Sequence, residues 1–75
     1  MTKLPLLSGQ EVTKAFQRMD YIIDHQTGSH IILRHAQPPY RRLTVPAHKE
    51  VAKGTLRALL RQAGLSVEQF MEHLK

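Results

Sequence analysis

Tyr21-Ile22-Ile23-Asp24-His25-Gln26-Thr27-Gly28-Ser29-His30-Ile31-Ile32-Leu33-Arg34-His35 is the stretch that decides the fold of this chain. Tyr21 to Ile23 and His30 to His35 are rich in aromatic and β-branched residues, the types that fit a pleated, half-buried surface. Between them Thr27-Gly28 supplies a turn, because glycine reaches the positive φ of a hairpin loop without steric cost. The stretch therefore predicts two antiparallel strands, with Ser29 and His30 emerging at the mouth of the turn. Side chains alternate along a strand, so Ile31, Leu33 and His35 take one face and His30, Ile32 and Arg34 the other. If the first set packs into a core, His30 and Arg34 share the open face.

Working outward, Ser8 and Glu11 have the spacing of a capping box, in which each side chain satisfies the other residue's orphan N–H. Val12, Ala15, Phe16 and Met19 follow as one apolar stripe, so a helix is expected from Ser8 to Met19 or Asp20. On the other side of the hairpin, Pro38-Pro39 marks a loop. Arg42-Leu43-Thr44-Val45 reads as a third strand stopped by Pro46, which has no N–H for a ladder. Leu43 and Val45 face one way, Arg42 and Thr44 the other. After a loop from Ala47 to Gly54, Thr55 is expected to cap a helix with Leu56, Leu59, Leu60 and Ala63 on one stripe and Gly64 at its end. Ser66 and Gln69 form a second capping box, opening a helix with Val67, Phe70, Met71 and Leu74 at core spacing. The order helix, three strands, two helices predicts one α+β domain over residues 1–75, its helices packed on one face of an antiparallel sheet.

Composition narrows what such a domain can do. A chain of 75 residues buries only about 60% of its unfolded surface, which argues against a deep enclosed active site. Without cysteine there is neither a disulfide framework nor a thiolate zinc site, as suits a reducing cytoplasm. The opening run Met1 to Leu7 is too short, and too soon interrupted by Pro5, for a signal peptide or a membrane span, so a soluble, unprocessed chain is expected. Eleven Lys and Arg against six Asp and Glu give a net charge of +5. The excess lies between Arg34 and Arg61, where Arg34, Arg41, Arg42, Lys49, Lys53, Arg57 and Arg61 face Glu50 alone. A segment of this kind favours a polyanion, because each neutralised phosphate releases counterions. Two Tyr, two Phe and no Trp leave few platforms for base stacking, which disfavours a single-strand binder built on aromatics.

The five histidines raise the question of a metal, yet none has H-x-x-x-H spacing on a helix, and His30 and His35 point to opposite faces. No metal or other cofactor is expected. There is no G-x-x-x-x-G-K-[ST] loop and no G-x-S-x-G elbow, and Ser29 diverges from its neighbour His30, so serine nucleophilic catalysis is disfavoured. A lone strand histidine is ordinarily a surface or packing residue. Its unperturbed pKa of roughly 6.5 makes it a proton carrier when phosphate-binding charge lies beside it. Leu56 to Ala63, Gly64-Leu65-Ser66 and Val67 to Leu74 outline a helix-turn-helix. Its second helix carries Glu68, Gln69 and Glu72, with His73 and Lys75 only at the end, a poor surface for DNA. Two helices closing the core is the better reading.

Taken in order, these segments resemble the HicA family of type II toxin ribonucleases. The resemblance rests on Gly28-Ser29-His30 leading into Ile31-Ile32-Leu33-Arg34-His35, on Thr44-Val45-Pro46 with His48, on Gly54-Thr55-Leu56-Arg57 and on Arg61-Gln62-Ala63-Gly64-Leu65. It runs from Ser8 through the helix after Ser66. It implies a fold like that of double-stranded-RNA-binding domains, metal-independent cleavage of messenger RNA with His30 as the catalytic residue, and a HicB-family antitoxin that covers the toxin's site. Candidate RNA contacts are Gly28, Ser29, Arg34, Arg42, Lys49, Lys53 and Arg57. His30 would serve as base to the 2'-OH or acid to the leaving 5'-oxygen, with Arg34 neutralising charge on the phosphate. His25, His48 and water are all open as the second proton carrier. The chain departs from the family pattern at Asp24-His25-Gln26-Thr27, where such toxins commonly read Val-Arg-Gln followed by Lys or Arg. Two cations near the turn are thereby missing, or half replaced by His25. Two other readings stay open: a noncatalytic double-stranded-RNA-binding module on the same basic face, and a DNA-binding regulator built on Leu56 to Leu74.

Overall fold

A computed structural model describes residues 3–74; Met1 and Thr2 of the opening run, and Lys75, which the sequence reading assigns to the end of the last helix, lie outside the described residues. The elements are α1 (Gly9–Gln17), β1 (Tyr21–Thr27), β2 (His30–His35), β3 (Arg42–Pro46), α2 (Lys53–Ala63) and α3 (Val67–Glu72). The strands form one antiparallel sheet in the order β1-β2-β3. This is the α+β arrangement that the apolar periodicities predict. Ile31, Leu33, Leu43 and Val45 lie on one sheet face and form a single buried cluster with Val12 and Phe16 of α1, Leu56, Leu59 and Leu60 of α2, and Phe70 of α3. Phe16 is the hub, 5.5 Å from the Phe70 ring and 5.3 Å edge-on from Tyr21. Phe70 thus ties α3 into the core, and the two C-terminal helices close the domain. Among the described residues no helix is long and apolar enough to cross a membrane.

The helix ends show where local chemistry decides and where it yields. Both capping boxes form: Glu11 N–H donates to Ser8 Oγ at 3.1 Å and Ser8 N–H to Glu11 Oε1 at 2.9 Å. Ser66 and Gln69 repeat the exchange at 3.1 and 2.8 Å. α1 stops at Gln17, short of Met19, because the Met19 and Asp20 N–H groups reach back only three residues, to Phe16 and Gln17. This tighter turn ends with Asp20 at φ 70°, a left-handed conformation that Asp tolerates better than most residues. α2 begins at Lys53 behind Ala52, with no side-chain cap, so Thr55 lies inside the helix. The cause is tertiary: Val51 N–H is fixed to Leu7 C=O at 2.7 Å, and the chain turns into the helix directly after it. Gly64 ends α2 at φ 73°. Two arginines then serve as C-terminal caps, Arg41 donating to Gln62 C=O at 3.0 Å and Arg18 to His73 C=O at 2.7 Å, where cations also complement the helix dipole.

Candidate active site on the open sheet face

The hairpin differs from the expected one in a way that shapes the site. β1 does not end at Ile23 but continues to Thr27, and its register with β2 shifts between Ile23 and His25. Asp24 is the extra residue of a β-bulge, a device that re-aims side chains. Beyond it the pairing resumes, with His25 opposite Ile32, Gln26 opposite Ile31 and Thr27 opposite His30. On the other side of β2, His30 pairs with Pro46, Ile32 with Thr44 and Arg34 with Arg42. Directly paired residues project to the same face. The face away from the helices therefore carries His25 and Thr27 from β1, His30, Ile32 and Arg34 from β2, and Arg42, Thr44 and Pro46 from β3.

His30 opens β2 and is exposed. Gly28, at φ 55°, makes the turn in front of it; its carbonyl accepts from the Gln26 side chain at 3.3 Å. Ser29 C=O accepts from Ala47 N–H at 2.6 Å, which ties the turn to the loop after β3. That loop is held in turn by α1, since Gly9 N–H donates to His48 C=O at 2.9 Å. Gly9 has no substitute there, because a Cβ would collide with the Pro46 carbonyl. A chain of backbone contacts from α1 thus fixes the mouth of the turn.

Arg34 is half-buried on the open face, its guanidinium carbon 5.9 Å from the centre of the Tyr40 ring. Its Nε lies 3.9 Å from Asp24 Oδ1, while Asp24 Oδ2 accepts from His25 Nδ1 at 3.1 Å. An ionised carboxylate only accepts, so Nδ1 carries the proton and Nε2 is the free nitrogen of the His25 ring. Arg42 stands directly opposite Arg34. Like charges so placed repel unless an anion lies between them.

The other sequence candidates divide. Lys49 is exposed in the loop that leaves Pro46, as is His48. Lys53 and Arg57 are exposed on α2, in the layer packed behind the sheet. Arg57 borders, with Arg61, Leu60, Leu65 and Val67, a shallow groove of about 250 Å³ beside α3. They belong to the same basic segment as Arg34 but to a different layer from His30. His35 has a packing role: its ring meets Tyr21 edge-on at 4.8 Å, and its Nδ1 accepts from Gln37 N–H at 3.0 Å. Alternation along the strands placed His30, Arg34 and Arg42 correctly. It missed Asp24 and Tyr40, because a bulge and a residue at φ 57° leave no periodic trace. Among the described residues, no three His, Asp or Glu side chains come together as a metal site.

An imidazole and two guanidinium groups thus lie on the uncovered sheet face of a small α+β protein. The family model described as the HicA toxin of bacterial toxin-antitoxin systems matches residues 9–65 of this chain. The chain belongs to the HicA toxin family. No curated protein matches it significantly. Membership makes it the toxin of a toxin-antitoxin pair.

Proposed function

We propose that this toxin is a metal-independent endoribonuclease that cleaves messenger RNA, with His30 as its catalytic residue, and that a HicB-type antitoxin neutralises it. The observation that carries the reading is the placement of His30 on the same open face as Arg34, with Arg42 opposite Arg34. RNA holds its own nucleophile, since each 2'-OH lies beside the phosphate that follows it. An enzyme need only move two protons and stabilise the crowded phosphorane, and neither task demands a metal. His30 Nε2 or Nδ1 takes the 2'-OH proton, a contribution of typically 10²–10⁴-fold. Arg34 and Arg42 meet the charge that develops on the phosphate oxygens. Gly28 and Ser29 shape the approach and Lys49 extends the basic surface beside them, while Lys53 and Arg57, on α2 behind the sheet, meet only backbone that runs past the edge of the sheet. Such a toxin works in the cytoplasm, and its cleavage of messenger RNA inhibits translation and growth.

The test is cleavage of a long RNA in the presence of EDTA by the unmodified chain and by His30→Ala. The expected products carry 2',3'-cyclic phosphate and 5'-hydroxyl ends, and His30→Ala stays folded but loses cleavage. Products with 3'-hydroxyl ends, or undiminished cleavage by His30→Ala, would overturn the assignment. Tight binding of duplex RNA without cleavage would identify a noncatalytic binding module instead. Addition of the antitoxin should protect the RNA.

A further inference from the structure

We infer that His25, oriented by Asp24, is the second proton carrier of this site. The inference rests on the ribonuclease reading above and names what that reading lacks, a group to protonate the departing 5'-oxygen. Three observations carry it. The bulge at Asp24 puts His25 in register with Ile32, on the open face. His25 is then the diagonal neighbour of His30 across β1 and β2, two positions from Thr27, which pairs with His30. Diagonal neighbours on one face lie roughly 7–8 Å apart, within reach of aromatic side chains. One phosphodiester fits between two such rings, with a hydrogen bond of about 2.6–3.2 Å at each end.

The second observation is the 3.1 Å contact between Asp24 Oδ2 and His25 Nδ1. It fixes the ring and reserves Nε2 for transfer, the arrangement by which a carboxylate orients a catalytic imidazole. The third is the difference between the two rings. His25 has the Asp24 carboxylate against its Nδ1, which leaves its Nε2 turned to the substrate. Among the described residues no side chain hydrogen-bonds the exposed His30 ring, which leaves both its nitrogens open to the substrate. The charged groups sharing the face are Asp24 on β1, His30 and Arg34 on β2, and Arg42 on β3.

The step balances. The 2'-oxygen forms a bond to phosphorus as its proton passes to His30. The bond from phosphorus to the 5'-oxygen breaks with its electron pair, and His25 Nε2–H protonates that oxygen. A 2',3'-cyclic phosphate and a 5'-hydroxyl result, and the two rings exchange a proton with solvent to reset. Asp24 touches no reacting atom and is a positioning residue. Because it also contacts Arg34, removing it frees that guanidinium for phosphate.

The experiment compares single-turnover cleavage by the unmodified chain and His25→Asn on two RNAs, one with the natural 5'-oxygen at the scissile bond and one with sulfur there. A thiolate leaves without being protonated. His25→Asn is expected to lose about 10²-fold on the oxygen substrate and to cleave the sulfur substrate at nearly the normal rate, while His30→Ala fails on both. For Asp24→Ala, kcat falls while KM does not rise, and Asp24→Asn, which can still accept from Nδ1, recovers most of kcat. Undiminished oxygen-substrate cleavage by His25→Asn, or an equal loss on both substrates, overturns the role of His25 alone. No cleavage of either RNA by the unmodified chain overturns the ribonuclease reading and this inference with it.

Discussion

The two faces of the sheet obey different rules although they are built from the same three strands. On the covered face Ile31, Leu33, Leu43 and Val45 are buried against α1, α2 and α3. Their worth lies in apolar area removed from water, roughly 1.5–3 kcal/mol for each fully buried side chain. On the open face His25, His30, Arg34 and Arg42 have water on one side and repel or pair with one another. That face contributes little to stability and holds the groups of the proposed chemistry. Substitutions should therefore separate by face: those on the covered side change folding, those on the open side change what the folded protein does.

The most severe test lies in the core. Phe70 is fully buried against Phe16, and Phe70→Ala is expected to cost about 3–5 kcal/mol in denaturant unfolding, with α3 released from the sheet. A loss under about 1 kcal/mol would mean that α3 is an appendage and the covered face is made by α1 and α2 alone. A smaller effect tests the other face. Arg42→Ala should leave unfolding within about ±0.5 kcal/mol of the parent, while RNA affinity falls and the slope of log affinity against log salt shrinks by about 0.7. Destabilisation there would show that the open face takes part in folding after all.

The smallest effect concerns neither face but the start of α1. Ser8 N–H holds the Glu11 carboxyl below the ordinary glutamate range, helped by the Ser8 hydroxyl beside it. A carboxyl whose pKa is lower folded than unfolded adds stability that is complete above its unfolded value. The gain is lost as the pH falls through the lower folded value. Glu11→Gln can keep the box geometry through its amide oxygen, so its melting temperature should fall less steeply than the parent's on acidification. Parallel curves would remove Glu11 from the account of acid stability.

What was legible in the sequence was whatever depends on neighbours three or four residues away, or on strict alternation. Ser8 with Glu11, Ser66 with Gln69, Gly64 and most of the apolar stripes describe local geometry that the structure keeps, although Met19 and Leu74 lie beyond the ends of their helices and Met71 stays out of the core. Thr55 misled because the same local rule is outranked by a distant contact, the bridge of Val51 to Leu7. The expected end of β1 failed for a related reason. Asp24-His25-Gln26 is polar and unlike a strand by composition, yet pairing with Ile31 and Ile32 of β2 carries it. The open face was legible as far as β2 and β3 alternate; the bulge then added an acid that the spacing did not announce. The basic segment was visible as charge, but which layer each cation joins depends on helix packing. Arg41 and Arg18 turn out to be engaged at helix ends.

Arg34 opposite Arg42 has one further consequence. Two guanidinium groups held side by side by a backbone ladder make the folded chain dependent on its company. A polyanion that binds this pair more tightly than it binds the unfolded chain stabilises the fold by mass action, by an amount that grows with the logarithm of its concentration over its dissociation constant. If the proposed RNA substrate is such a polyanion, it would also act as a chaperone for this toxin.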